Sequence, residues 1–341
     1  MRRAAATLLF VLTIAAVACQ GGSLPGGGTS SVVPDEVGVG PRSSFIAATS
    51  VGLVGLDARG RPLGRIVSLP VGSQASGPAL SLDGKTIYFA LSQIRAGVGF
   101  GSEIYAVGLD GTDLRPIVAR DQPNVFYASP TVGAAGELYV HRRYAKDDPG
   151  HPGVQLETVD WIERIDPQTG ERHKVLDDGA EPSAVRGAAA LVFVHLDRGQ
   201  QAGLWTASAE GSRTAPFLQT ADRFWWLQAP RVSPNGREVA WSSAGRSSAE
   251  PAPVIAARTS AGGRLAHLDI PSELYVAPID GTVLRSIATT RDDVVPAWSP
   301  DSTKIAFIAL ATFYVVTASN GEVLVNSEGI GLNYGDLVWV R

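Results

Sequence analysis

Cysteine is almost missing from this 341-residue chain, with Cys19 its only instance. One thiol excludes an internal disulfide framework and any Cys-x-x-Cys redox or zinc site. Lysine is scarce too, confined to Lys85, Lys146, Lys174 and Lys304, and the formal net charge of −4 is spread without a run of either sign. No basic stripe exists to follow a phosphate backbone, so nucleic acid is not expected as a partner. The chain also lacks a Gly-x-Ser-x-Gly elbow, a phosphate-binding loop and a His-Glu-x-x-His pair. Those absences remove the usual sequence signatures of serine hydrolases, nucleotide binders and zinc peptidases.

What the chain does contain is a repeat. The stretch Pro296 to Ile308, PAWSPDSTKIAFI, recurs without a gap as Pro78-Ala79-Leu80-Ser81-Leu82-Asp83-Gly84 and Pro230-Arg231-Val232-Ser233-Pro234-Asn235-Gly236. Pro130 and Pro182 head weaker copies. Their spacing of roughly 50 residues is that of four-stranded propeller blades. Proline offers no N–H, so a leading proline suits the start of an inner strand that forms an edge. The Asp-Gly or Asn-Gly corner suits a tight hairpin, because Asp bonds back to the backbone and Gly accepts positive φ. A second hairpin follows, seen in Glu273 to Ile279 with Asp280-Gly281 and Leu284 to Ile287, and again in Ile104 to Val107 with Asp110-Gly111 and Leu114 to Ile117.

At these residues the chain resembles the TolB-type, or WD40-like, β-propeller family, over about residues 44 to 341. The resemblance implies an all-β fold. The α/β domain that precedes the propeller in the family's namesake finds no room ahead of residue 44 in this sequence, so the expectation is a relative of it. Counting strands gives six four-stranded antiparallel blades, with Phe45 to Val67 completed by Asp336 to Val340, so that the two ends of the chain pair and close the ring. Seven blades is the alternative if the stretched interval 244–271 hides one more. It reads as a long loop, since it lacks the Pro-led head.

Upstream, Arg2 and Arg3 precede an apolar run from Ala4 to Val17 that ends in Ala16-Val17-Ala18-Cys19. This reads as a secretory leader over 1–18 and is too short for a membrane span. Its end resembles a bacterial lipoprotein signal with Cys19 as the lipidated residue. Ala16 stands where leucine is usual, which keeps ordinary signal cleavage as the alternative. Loss of Arg2 and Arg3 with the leader would take the charge from −4 to −6. Residues 19–43, rich in Gly, Ser, Pro and Val, read as the anchor and a flexible tether. The expected address is the cell envelope, with a membrane contact through the lipid.

Strand alternation puts the second-to-third loops and the blade-to-blade loops on one face of the ring. Loops on a rigid scaffold carry function, so this face is the expected working face. It should gather Tyr127, Arg223, Trp225, Trp226, Arg291, Asp292 and Tyr334 from the blade-to-blade loops, and His141, Arg143, His195 and Asp197 from the ends of second strands. Such a mouth suits a sugar, a peptide segment or a partner loop. Phe126 and one of Trp225 or Trp226 also read as wedges between blades, and loop arginines as solvent pairs of neighbouring aspartates. His141 and His195 hold equivalent places in adjacent blades, and metal-dependent lyases occur among relatives of the resembled family. With no short ligand spacing they read as hydrogen-bonded strand-end residues, and no metal or cofactor is expected.

Two functions follow. One is a non-catalytic envelope lipoprotein whose propeller docks a protein or envelope component, as the resemblance implies. The other is a metal-dependent enzyme acting on a carbohydrate or lactone, with His141, His195 and Asp197 or Asp292 at its mouth.

Overall fold

The computed structural model describes residues 33–147, 150, 155–217, 224, 226–244, 272–290, 292–332 and 335–341. The strands form six antiparallel sheets of four in a ring, a six-bladed β-propeller. Blade 1 holds β1 (Phe45–Thr49), β2 (Gly52–Leu56) and β3 (Pro62–Arg65). Blade 2 holds β4 (Gln74–Leu80), β5 (Thr86–Arg95), β6 (Gly99–Gly108) and β7 (Arg115–Val118), and blade 3 holds β8 (Val125–Val132), β9 (Leu138–Asp147), β10 (Gln155–Ile165) and β11 (Arg172–Asp177). Blade 4 comprises β12 (Gly179–Ala184), β13 (Ala190–Asp197), β14 (Gln200–Ser208) and β15 (Thr214–Pro216). Blade 5 comprises β16 (Trp226–Val232), β17 (Glu238–Ala244), β18 (Ser272–Pro278) and β19 (Arg285–Thr289). Blade 6 comprises β20 (Ala297–Trp298), β21 (Lys304–Ala309), β22 (Thr312–Thr317) and β23 (Val323–Glu328). The last strand, β24 (Asp336–Trp339), pairs with β1 as the inner strand of blade 1, Trp339 opposite Phe45.

Closure therefore occurs as the repeat predicts. Six is the blade count, because β17 pairs directly with β18 and the interval 245–271 connects two strands of one sheet. The middle strands are buried on both faces, as in β21 and β22, so they are continuous apolar runs and not alternating ones. Six apolar clusters, one per seam between blades, make up the core. At the closing seam the Phe45 ring lies 4.5 Å from Trp339 and 5.0 Å from Phe313.

Pro296 stands just ahead of β20, as the repeat predicts, but the other four leading prolines sit differently. Pro78, Pro130, Pro182 and Pro230 fall inside the inner strands, not at their starts, each at a β-bulge where register slips. The residue before each has positive φ: Gly77 58°, Ser129 49°, Glu181 49° and Ala229 51°. A bulge leaves one backbone group out of the ladder, and proline, having no N–H, meets that condition without an orphaned donor. The hairpin corners match their prediction. Ser81, Ser233 and Ser299 hydroxyls donate to Asp83, Asn235 and Asp301 and accept the Thr86, Glu238 and Lys304 N–H groups. The Ser299 hydroxyl and the Thr303 N–H draw the Asp301 carboxyl down to about 2.

The glycines of the third-to-outer-strand corners join blades. A Cβ on Gly111, Gly170, Gly211 or Gly321 would lie 2.2, 3.2, 2.0 or 1.9 Å from the carbonyl oxygen of Ile66, Ile117, Val175 or Ile287, each at the outer strand of the preceding blade. At the closing seam the corresponding Gly60 meets the Phe313 ring on β22 instead, at 2.3 Å. Finally, the stretch read as tether up to residue 43 packs on the ring from Val33 onward. Val33 joins the blade 6/1 cluster and Val39 the blade 1/2 cluster, and Val37 pairs in parallel with Arg65 on the outer edge of β3.

Candidate functional site

On the face that carries the second-to-third loops, two adjacent blades carry the longest strands among the described residues. The strands of the β5–β6 hairpin have 10 residues each and those of β9–β10 have 10 and 11, against 5 in β1 and 6 in β21. The first hairpin ends in Ala96-Gly97-Val98 and exposes Ile94 (80%) and Phe100 (44%). Phe100 meets Phe126 of the neighbouring blade edge to face at 5.6 Å, and its carbonyl accepts the Asn124 N–H at 3.0 Å.

A buried polar brace holds this hairpin up. The Glu103 carboxylate accepts Arg95, the Gln93 amide at 3.1 Å and the Arg120 backbone N–H at 3.2 Å. The buried Arg120 guanidinium donates to the Gln93 carbonyl at 2.8 Å, and Arg95 donates to the Arg120 carbonyl. Burial pushes Arg120 below the usual arginine range, opposed by the Glu103 charge. Gly101 is the gap the brace needs, since a Cβ there would lie 2.3 Å from the Val125 oxygen and 2.9 Å from Arg120 Cδ.

In blade 3, register brings three polar side chains onto one face. Arg143 is opposite Asp160, and His141 is two residues along the same strand. Asp160 Oδ1 accepts His141 Nε2 at 2.6 Å and Arg143 Nε at 2.7 Å. Among the described residues Oδ2 has no partner. Burial opposes ionisation of Asp160, but the His141 hydrogen bond and charge and the Arg143 guanidinium outweigh it and hold the carboxyl below its ordinary value. The alternate residue, Arg142, faces blade 2. It donates to the Tyr127 hydroxyl at 3.0 Å and lies 4.1 Å over the Trp161 ring, while Arg172 donates to the same hydroxyl at 2.6 Å. Tyr127 is thus buried in the blade 2/3 seam, where burial and the Glu163 carboxylate raise its pKa.

The remaining residues expected at the mouth scatter. His195 stacks on Trp205 with centroids 4.3 Å apart, and Asp197 is exposed at the end of β13. Asp292 is buried and accepts the Leu310 N–H at 2.9 Å, securing the β21–β22 turn whose Leu310 and Ala311 both have positive φ. Trp226 heads β16, whereas Cys19, Arg223, Trp225, Arg291 and Tyr334 lie outside the described residues. Among the described residues no three His, Cys, Asp or Glu side chains are grouped to hold a metal.

Sequence reasoning missed Asp160, Glu103 and Arg120, which no motif marks. It also missed two carboxylates on the inner strands. Asp336 Oδ2 accepts the Gly77 N–H at 2.6 Å, and Glu181 accepts the Ala229 N–H. Burial raises the Asp336 pKa against the pull of Arg231. The signal that would have found their partners is the residue before each repeated proline.

No protein-family model matches the chain, and no curated protein matches it in sequence. Solved structures do. A TolB candidate from Agrobacterium tumefaciens is 17% identical with a TM-score of 0.52, covering 76% of this chain and 87% of its own. An oligogalacturonate lyase from Vibrio parahaemolyticus is 10% identical with a TM-score of 0.42, covering 76% and 80%. An oligogalacturonate lyase in complex with manganese is 12% identical with a TM-score of 0.44, covering 82% and 84%. The first of these likenesses shows a shared TolB-like propeller fold.

Proposed function

We propose that the protein is a cell-envelope docking scaffold, exported by the leader over 1–18, anchored through Cys19, and binding a protein or envelope component on the loop-bearing face of its propeller. One observation carries this reading: the long β5–β6 hairpin offers Ile94 and Phe100 to solvent on a buried polar brace. Exposed apolar side chains grouped on an ordered projection are a contact surface, because ordering them in water gains nothing until a partner covers them. Phe100 stays 44% exposed even with Phe126 against it, and that area is open to a partner. The shared TolB-like fold supports a scaffold role without naming what is held.

The test is site-specific photocrosslinking in intact cells. A crosslinker at position 94 or 100 should give a discrete adduct, and one at Val283, exposed on the opposite face, should give none. Equal labelling from both faces, or none from either hairpin position, would sink the reading. Metabolic labelling with a fatty acid, compared between the native chain and Cys19→Ala, checks the anchor separately.

A further inference from the structure

The closing seam offers a second surface. Where other corner glycines bear on the outer strand of the preceding blade, Gly60 bears on Phe313 of β22, so the Asp57–Arg61 corner stops short of β23. Between them runs a groove of about 690 Å³, with Arg59 and Arg61 on one wall and Leu324 to Ile330 on the other. The Asp57 carboxylate fixes this corner by accepting the Arg59 and Arg61 N–H groups at 2.8 and 2.9 Å. Both guanidinium groups are left without an acidic partner among the described residues. The outer edge of β23 likewise has no backbone partner among them, and Val323 and Leu324 are 44% and 45% exposed.

The molecule itself shows what such an edge accepts. On β3, the neighbouring outer strand, the acidic segment Asp35-Glu36-Val37-Gly38 lies parallel as an added strand, with Arg65 N–H to Glu36 O at 2.7 Å and Gly38 N–H to Ile66 O at 3.1 Å. Its two carboxylates pair with Arg65 and Arg42. The groove repeats two of these ingredients, an open strand edge and two arginines, and sets the exposed Val323 and Leu324 beside them.

We infer that β23, Arg59 and Arg61 form a docking groove for an extended, acidic segment of a partner protein, bound by strand addition. Main-chain bonds along β23 supply the affinity. Charge complementarity supplies the register, because Glu328 in the groove's lining repels an acid beside it while Arg59 and Arg61 attract the segment's carboxylates. This surface is separate from the loop-bearing face, and its test does not depend on that face.

The probe is a fluorescent heptapeptide, Val-Pro-Asp-Glu-Val-Gly-Val, titrated into the purified protein by anisotropy, with amide hydrogen exchange to locate it. Binding should weaken about tenfold with Arg59→Glu plus Arg61→Glu, and to a similar degree when the peptide acids become Asn and Gln. Exchange protection should appear on Val323–Glu328. Both arginines are exposed, so an unchanged melting temperature verifies the fold of the variant. Protection on β3 instead would mean displacement of the chain's own segment and would overturn the assignment. So would binding indifferent to charge reversal, no binding at millimolar peptide, or self-association through this groove, which would make the occupant a second copy.

Discussion

Replacing Gly321 by alanine tests whether the corner glycines hold neighbouring blades together or merely permit a turn. Gly84 is the internal control: its φ of 70° is close to the 74° of Gly321, but nothing lies within 4 Å of where its Cβ would be. Gly84→Ala therefore reports left-handed backbone strain alone, about 1–2 kcal/mol. At Gly321 the new Cβ would lie 1.9 Å from the Ile287 oxygen, where ordinary contact begins at 3.4 Å, so corner and strand must separate by the difference, 1.5 Å. Ile287 is buried in the blade 5/6 cluster and its backbone belongs to β19, so the displacement spreads into packed core. Forced overpacking of this kind costs about 1–3 kcal/mol more. With about 2–4 °C lost per kcal/mol, Gly84→Ala should melt about 2–8 °C below the native protein and Gly321→Ala at least a further 2 °C or so lower. Thermal unfolding by circular dichroism measures both. Equal losses at the two positions would show that the close approach to Ile287 contributes nothing, and the seam argument would fail.

Two further outcomes follow. Asp160→Ala should destabilise by about 3–5 kcal/mol, toward the lower figure because the Arg143 side chain is 32% exposed, by denaturant titration at neutral pH. Because the folded pKa of Asp160 is depressed, its contribution is present above the unfolded carboxyl range near pH 4 and is lost as pH falls through the lower folded value. The gap between native and Asp160→Asn should therefore narrow on acidification below about pH 4, and a gap that widens there would contradict the pairing. Truncation before Asp336 removes the inner strand of blade 1 and bares the edge of β1. The product should self-associate in light scattering and lose its sharp melt, and a monomer with the native melting temperature would refute closure by the chain ends.

The blades were legible in the sequence because their corners are local. These Asp-led corners act within a few residues, and the bonds of Asp83, Asp110 and Asp301 back to the backbone formed as read. The end-to-end pairing was legible because Trp339 repeats Trp298. The positions of Pro78, Pro130, Pro182 and Pro230 were misjudged, and that of Pro296 was not, because an inner-strand bulge and a strand start look alike in one dimension. The site was far less readable. Asp160 acquires its role from cross-strand neighbours 19 and 17 positions away, and a one-residue slip would turn it to the other face. Tyr127 looked like a mouth residue until the register of β8 and β9 carried it into the blade 2/3 seam beside Arg142. The segment from Val33 to Ser43 resembled tether by composition, since two well-spaced valines suffice to seat it.

Joining the first strand to the last also orders events in time. Blades 2 to 6 are each made from one contiguous stretch, so each forms from contacts of short sequence separation as soon as its residues exist. Blade 1 cannot. Its inner strand is synthesised after blades 2 to 6, and until then β1 presents an unpaired edge and the blade 6/1 cluster lacks Leu337 and Trp339. Among the described strands this pairing has the greatest sequence separation, and it closes in that single step, which places the slowest and most aggregation-exposed moment of folding after blades 2 to 6 are made. A nascent chain stalled before Asp336 would then hold five finished blades and one sticky edge.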